Sequence, residues 1–200
     1  GRVCPNGFDC RRCEAHPRFV AQEGAPPPAP TASAGSYGLE LPAGRLFHRG
    51  HTWVQPEPDG TVTIGLDDFA RRVVGATESV ELPSAGTHLA MNGPAARLRT
   101  RGSVVRVLAP VDGTVLKSEG GDTRFQIRGR PDGPLDARHL LNAAEARPWL
   151  LREIERVQLA LGRFGVGPAL AAGGELGAAA SEALPRQSQE AVLGTVFLEP

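Results

Sequence analysis

Lysine is nearly missing from this 200-residue chain: of its 22 basic side chains only Lys117 is a lysine, and the others are arginines. Any chemistry that needs a lysine amine therefore has one candidate. A net charge is missing too, because Asp and Glu also total 22. Nothing in that balance holds a phosphate backbone or an acidic membrane, so nucleic acid is not an expected partner. Aromatic residues make up 5% of the chain, against 25 glycines and 18 prolines, which favours short strands joined by tight turns over long elements. Apolar runs are short as well. None approaches the roughly 20 residues that span a bilayer, and no secretory signal is present, so the expectation is a cytoplasmic protein without a membrane segment. What is present is 40% hydrophobic residues, enough for one packed domain and a small appendage.

Composition divides the chain into four parts. Residues 1–22 hold all three cysteines, and residues 23–36 form a Pro/Ala-rich extended linker. Residues 37–133 read as an all-β domain with one helix. The segments 52–55 and 61–65 are strand-like, and 56–60 supplies a hairpin turn between them. Asp67 or Asp68 caps a helix over 69–74 that Gly75 ends. Strands are expected at 78–82, 96–100, 103–109, 113–117 and 124–128.

Residues 134–200 read as a helical extension. Asp136 is a candidate cap for a helix through Leu141, and Pro148 suits the first turn of a second. In that second helix Leu150, Ile154, Val157 and Leu161 form an apolar stripe, with Arg152, Glu153, Glu155 and Arg156 largely off it. The stripe fits packing on the β core better than docking to a partner. A last, loosely packed helix is expected from Ser188 to Leu198.

Four motifs, taken in order, resemble the H protein of the glycine cleavage system. They are Phe47-His-Arg-Gly-His-Thr-Trp-Val54, Asp59-Gly-Thr-Val-Thr-Ile-Gly-Leu-Asp-Asp-Phe-Ala70, Val80-Glu-Leu-Pro-Ser-Ala-Gly86 and Ala109-Pro-Val-Asp-Gly-Thr-Val115. The resemblance implies a mainly β fold, the lipoyl/biotinyl-type barrel-sandwich hybrid, here with a C-terminal helical extension. It also implies a carrier rather than an enzyme, one whose lipoylated lysine stands at the tip of a hairpin and shuttles an aminomethyl group between partner enzymes. The Cys4 to Cys13 segment and the helical tail further resemble a set of H-protein-like chains that lack the lipoyl lysine.

Counting back from Ala109-Pro110, the position of the family's lipoyl lysine falls at Gly102, which has no side chain to form the amide. Lys117 follows the Asp112-Gly113 turn and fits a solvated strand residue rather than a lipoyl arm. After it the chain passes through Ser118-Glu-Gly-Gly-Asp122 almost directly to its next strand, where the family has a long loop bordering the lipoyl cleft. Lipoate is therefore not an expected cofactor.

Cys4, Cys10, Cys13 and His16 follow a C-x5-C-x2-C-x2-H pattern, which suits tetrahedral zinc or an iron–sulfur cluster. Spacing does not separate the two, and free thiols or a Cys10–Cys13 redox pair are the plain alternatives. His48 and His51 fit the opening motif and are expected to be structural. No nucleophile elbow, phosphate loop or dinucleotide fingerprint occurs. The expected function is a non-lipoylated module that binds protein partners, glycine-cleavage-type or redox enzymes among them, and carries a metal or redox knuckle. A lipoyl carrier using Lys117, and a β scaffold for an electron-transfer cluster, are the alternatives.

Overall fold

The computed structural model describes residues 38–164, 170–171, 175–176 and 185–197. The cysteine cluster, His16 and the Pro/Ala-rich linker lie outside the described residues. Two antiparallel sheets carry the β domain. The larger contains β1 (Leu46–Phe47), β2 (Thr52–Pro56), β3 (Val62–Leu66), β5 (His88–Leu89), β8 (Gly113–Glu119) and β9 (Gln126–Pro131), in the order β1-β2-β3-β9-β8-β5. The smaller contains β4 (Ser79–Glu81), β6 (Pro94–Arg99) and β7 (Val104–Leu108), in the order β4-β6-β7. A short pair, β10 (Leu170–Ala171) and β11 (Glu175–Leu176), stands apart from both.

The period-two pattern sets which residues face inward. Val54 lies opposite Ile64 and Ile64 opposite Ile127, and all three are buried. In the smaller sheet Val80, Leu98 and Val105 stand in register on the inner face, while Glu81, Arg97, Arg99, Val104 and Arg106 alternate outward. The β2–β3 hairpin turns where the sequence indicates it: Gly60 has φ +78° and Asp59 Oδ1 accepts from the Thr61 amide and hydroxyl at 3.1 and 2.6 Å. Helix α1 (Asp68–Val74) is capped by Asp67, whose Oδ1 accepts from the Ala70 amide at 2.7 Å, and it ends at Gly75 with φ 69°.

The C-terminal part departs from expectation in four respects. No helix forms over 136–141, because Leu141 exchanges both backbone hydrogen bonds with Phe47 of β1, at 2.7 and 2.8 Å. Helix α2 (Ala143–Gly162) starts well before Pro148, which lies in its interior. Its start is fixed by a capping box: Asn142 accepts from Ala144 and Glu145 amides, and the Glu145 carboxylate accepts from the Asn142 amide. Glu153 is not off the apolar stripe but buried with it, 4% exposed. Helix α3 (Arg186–Val196) is closely packed, since Val192, Leu193, Val196 and the following Phe197 are buried in the core that holds Trp149 and Leu150 of α2.

Candidate functional site

The β6–β7 hairpin turns through the two residues Arg101 and Gly102. Thr100 and Ser103 close it: the Thr100 amide and hydroxyl both donate to Ser103 O, at 2.9 and 3.1 Å, and the Ser103 amide donates to Thr100 Oγ1 at 3.2 Å. Gly102 thus stands at a hairpin tip. Its φ is not positive, so the turn does not depend on glycine for a left-handed conformation. Beside the tip, a cavity of about 100 Å³ separates β7 from α3, bounded by Val105, Leu193 and Phe197.

Lys117 lies elsewhere. It is on β8, opposite Arg128 of β9, in the larger sheet rather than the one that ends in Gly102. Its side chain is 66% exposed and pairs with Glu119. The β8–β9 connection is short, as the sequence implies: Gly120 takes φ +102°, where an added Cβ would come within 2.8 Å of Phe125 Cα, and Phe125 is buried beneath the turn. No long loop stands beside the β domain at this point.

The two histidines of the opening motif have opposite electrostatics. His48 is buried, its Nδ1 accepts from the Gly50 amide at 3.1 Å, and its ring meets that of His139 edge-on at 6.0 Å. Burial, reinforced by His139, pushes its pKa down to about 4, so the ring is neutral. His51 occupies a left-handed conformation, φ 63°, that turns its ring into the core, where it is 0% exposed. Its Nδ1 lies 3.0 Å from Asp67 Oδ2. The ring lies between Trp149 and Phe69, with centroids 4.8 and 4.9 Å away.

Burial alone lowers the His51 pKa, but the Asp67 carboxylate, aided by Glu153, outweighs it and raises the value to about 9. Glu153 Oε2 is 3.9 Å from His51 Nε2, an ion pair too long for a hydrogen bond, and Nε2 makes no hydrogen bond at all. Arg156 closes the chain of charges at 3.0 Å from Glu153 Oε2. Asp67, His51, Glu153 and Arg156 therefore alternate in sign from the cap of α1 to the surface of α2. The sequence carried one signal for Glu153 that the stripe obscured: it follows Trp149 by one helical turn, on the same face.

His88 pairs with Asp132 at 2.8 Å on the surface, and His139 Nε2 donates to Pro110 O at 2.8 Å. Among the described residues no group of three or more His, Cys, Asp or Glu side chains is arranged to hold a metal ion. The cysteine cluster is not among those residues. No described helix is long and apolar enough to cross a membrane.

Residues 45–120 match the family model described as Glycine cleavage H-protein. The chain is also 30% identical over 112 residues to the glycine cleavage system H protein of Aromatoleum aromaticum, a match spanning 56% of this chain and 78% of that protein. The chain belongs to the glycine cleavage H-protein family. The H protein of Thiobacillus denitrificans is 29% identical over 53% of this chain and 92% of that protein, and that of Xanthomonas euvesicatoria is 35% identical over 39% and 60%. A crystal structure of the H protein from Mycobacterium marinum aligns with 55% of this chain and 98% of that chain, with 19% identity and a TM-score of 0.47. H proteins are lipoyl carriers and not catalysts themselves, and the mainly β barrel-sandwich architecture with C-terminal helices matches this family's fold.

Proposed function

We propose that this chain is a non-lipoylated H-protein-like module that acts by binding partner proteins in the cytoplasm, glycine-cleavage-type or redox enzymes among them. One observation carries the reading: the hairpin tip that corresponds by motif spacing to the family's lipoyl position holds Gly102, while the single amine, Lys117, lies in the other sheet. An amide-linked arm needs a side-chain amine at a fixed turn, and this turn has none. The short β8–β9 connection points the same way, since it leaves out the loop that would border a cleft for the arm.

We further propose that Cys4, Cys10, Cys13 and His16 form a metal or redox knuckle holding zinc or an iron–sulfur cluster. Three thiols at ligand spacing fit a reducing compartment. Metal analysis of the full chain, with a visible spectrum of anaerobically purified protein, tests this; metal-free protein with three titratable thiols contradicts it.

The second reading is a lipoyl carrier of glycine catabolism that uses Lys117 to move an aminomethyl group between partner enzymes. Family membership and the exposure of Lys117 favour it. Intact-mass measurement after co-expression with a lipoate ligase separates the two. An unmodified mass supports the first reading, and a lipoyl adduct on Lys117 supports the second.

A further inference from the structure

The outer face of the smaller sheet carries a row of guanidinium groups. Arg97 and Arg99 project from β6, Arg106 from β7, and Arg101 stands at the hairpin tip. Arg97 is directly opposite Arg106, and like charges facing each other across two strands oppose pairing. On β6 the counter-charge is thin: Arg97 and Arg99 share the carboxylate of Glu81, at 3.9 and 3.8 Å, both too long for hydrogen bonds, whereas Arg106 lines a cavity with Glu190 of α3. Arg101 has no ion-pair partner among the described residues. In a chain with no net charge this is a local excess of positive charge.

Val104 lies within this ring of arginines, opposite Arg99, and is 48% exposed. An exposed aliphatic side chain surrounded by arginines has the composition of a protein-binding patch, because guanidinium groups pair bidentately with carboxylates around a desolvated apolar centre. Phosphate-bearing partners fit less well, since the exposed Val104 side chain at the centre of the patch offers an apolar contact that a phosphate backbone does not use. We infer that the outer face of β6 and β7, together with the Arg101–Gly102 tip, docks an acidic segment of a partner protein, with carboxylates on Arg97, Arg99 and Arg101 and an apolar side chain on Val104. This inference rests on the reading of the chain as a binding module and names the surface and partner chemistry.

The test uses the full chain, labelled with nitrogen-15 and titrated with a short capped peptide of alternating glutamate and leucine. Parallel titrations use a lysine–leucine counterpart and single-stranded oligothymidine. The expected result is amide shifts confined to the 97–106 hairpin with the acidic peptide alone, weakening as salt rises. Arg99→Glu with Arg101→Glu should weaken binding on the order of tenfold or more. Arg99→Gln with Arg101→Gln should act in the same direction, and Arg152→Glu on the exposed face of α2 should not. The inference is overturned by absent binding at millimolar peptide, by equal loss in Arg152→Glu, or by tighter binding of the oligonucleotide to the same hairpin. A lipoyl adduct in the intact mass would instead overturn the non-lipoylated reading, and the peptide titration would still report on the face.

Discussion

His51 and Asp67 form a buried ion pair, Nδ1 to Oδ2 at 3.0 Å, in which the carboxylate also caps helix α1 through its other oxygen. The Asp67 side chain thereby ties the start of the helix to His51, whose other ring nitrogen faces Glu153 of α2 at 3.9 Å. Removing one partner of a buried pair leaves the other charge uncompensated. Asp67→Asn should cost roughly 3 kcal/mol of stability, read as a fall in the urea midpoint at unchanged slope. A loss below about 1 kcal/mol would place the pair among interactions that matter little.

The two motif histidines predict a stability maximum on the pH axis. Folded His51 keeps its proton to about pH 9, whereas an unfolded imidazole releases it near 6.5. Its contribution is complete below 6.5 and is lost as pH rises through 9. His48 has the opposite sign: its folded value is about 4, so the unfolded chain binds the extra proton between 4 and 6.5, and stability falls as pH drops through that window. Urea midpoints across the range should peak near pH 6.5 and fall on both sides. A midpoint rising steadily from pH 6.5 to 9 would contradict the assignment of His51, as would a His51 ring titrating near 6.5 by NMR.

Close backbone approach makes a third prediction. A Cβ on Gly113 would lie 2.5 Å from Arg130 O on the neighbouring strand, and Gly133 has nothing within 4 Å. Gly113→Ala should destabilise the chain by roughly 1–3 kcal/mol, while Gly133→Ala should stay within about 0.5 kcal/mol of wild type. Equal thermal shifts for the two would contradict the register between β8 and β9.

Local signals made the β domain legible. The Pro/Asp/Gly turn at 56–60 and the Asp67 and Gly75 caps act within a few residues, and the structure places each where the sequence indicates. The C-terminal part depended on distant partners. Leu141 pairs with Phe47 instead of closing a helix, a competition that no window around residue 141 contains. The Asn142–Glu145 capping box was local and readable, but Pro148 drew the helix start toward itself, since proline is favoured in a first turn. Glu153 reads as a solvated acid because acids on amphipathic helices usually are. Its buried partner is His51, in the β1–β2 turn far along the chain. At the hairpin, motif spacing located Gly102, but only strand pairing shows that Lys117 belongs to the other sheet.

The tip itself should accept a lysine. Gly102 does not adopt positive φ and is partly exposed, so a side chain there does not demand a left-handed backbone. Its stability should remain within about 0.5 kcal/mol of wild type, measured by thermal unfolding. A large loss would show that the turn depends on glycine after all.

The most direct measurement is the intact mass of wild type, Lys117→Arg and Gly102→Lys after co-expression with a lipoate ligase and supplied lipoate. Wild type and Lys117→Arg are expected unmodified, and Gly102→Lys is expected to carry a lipoyl adduct at residue 102. A lipoyl adduct on wild type that disappears in Lys117→Arg would contradict the non-lipoylated reading.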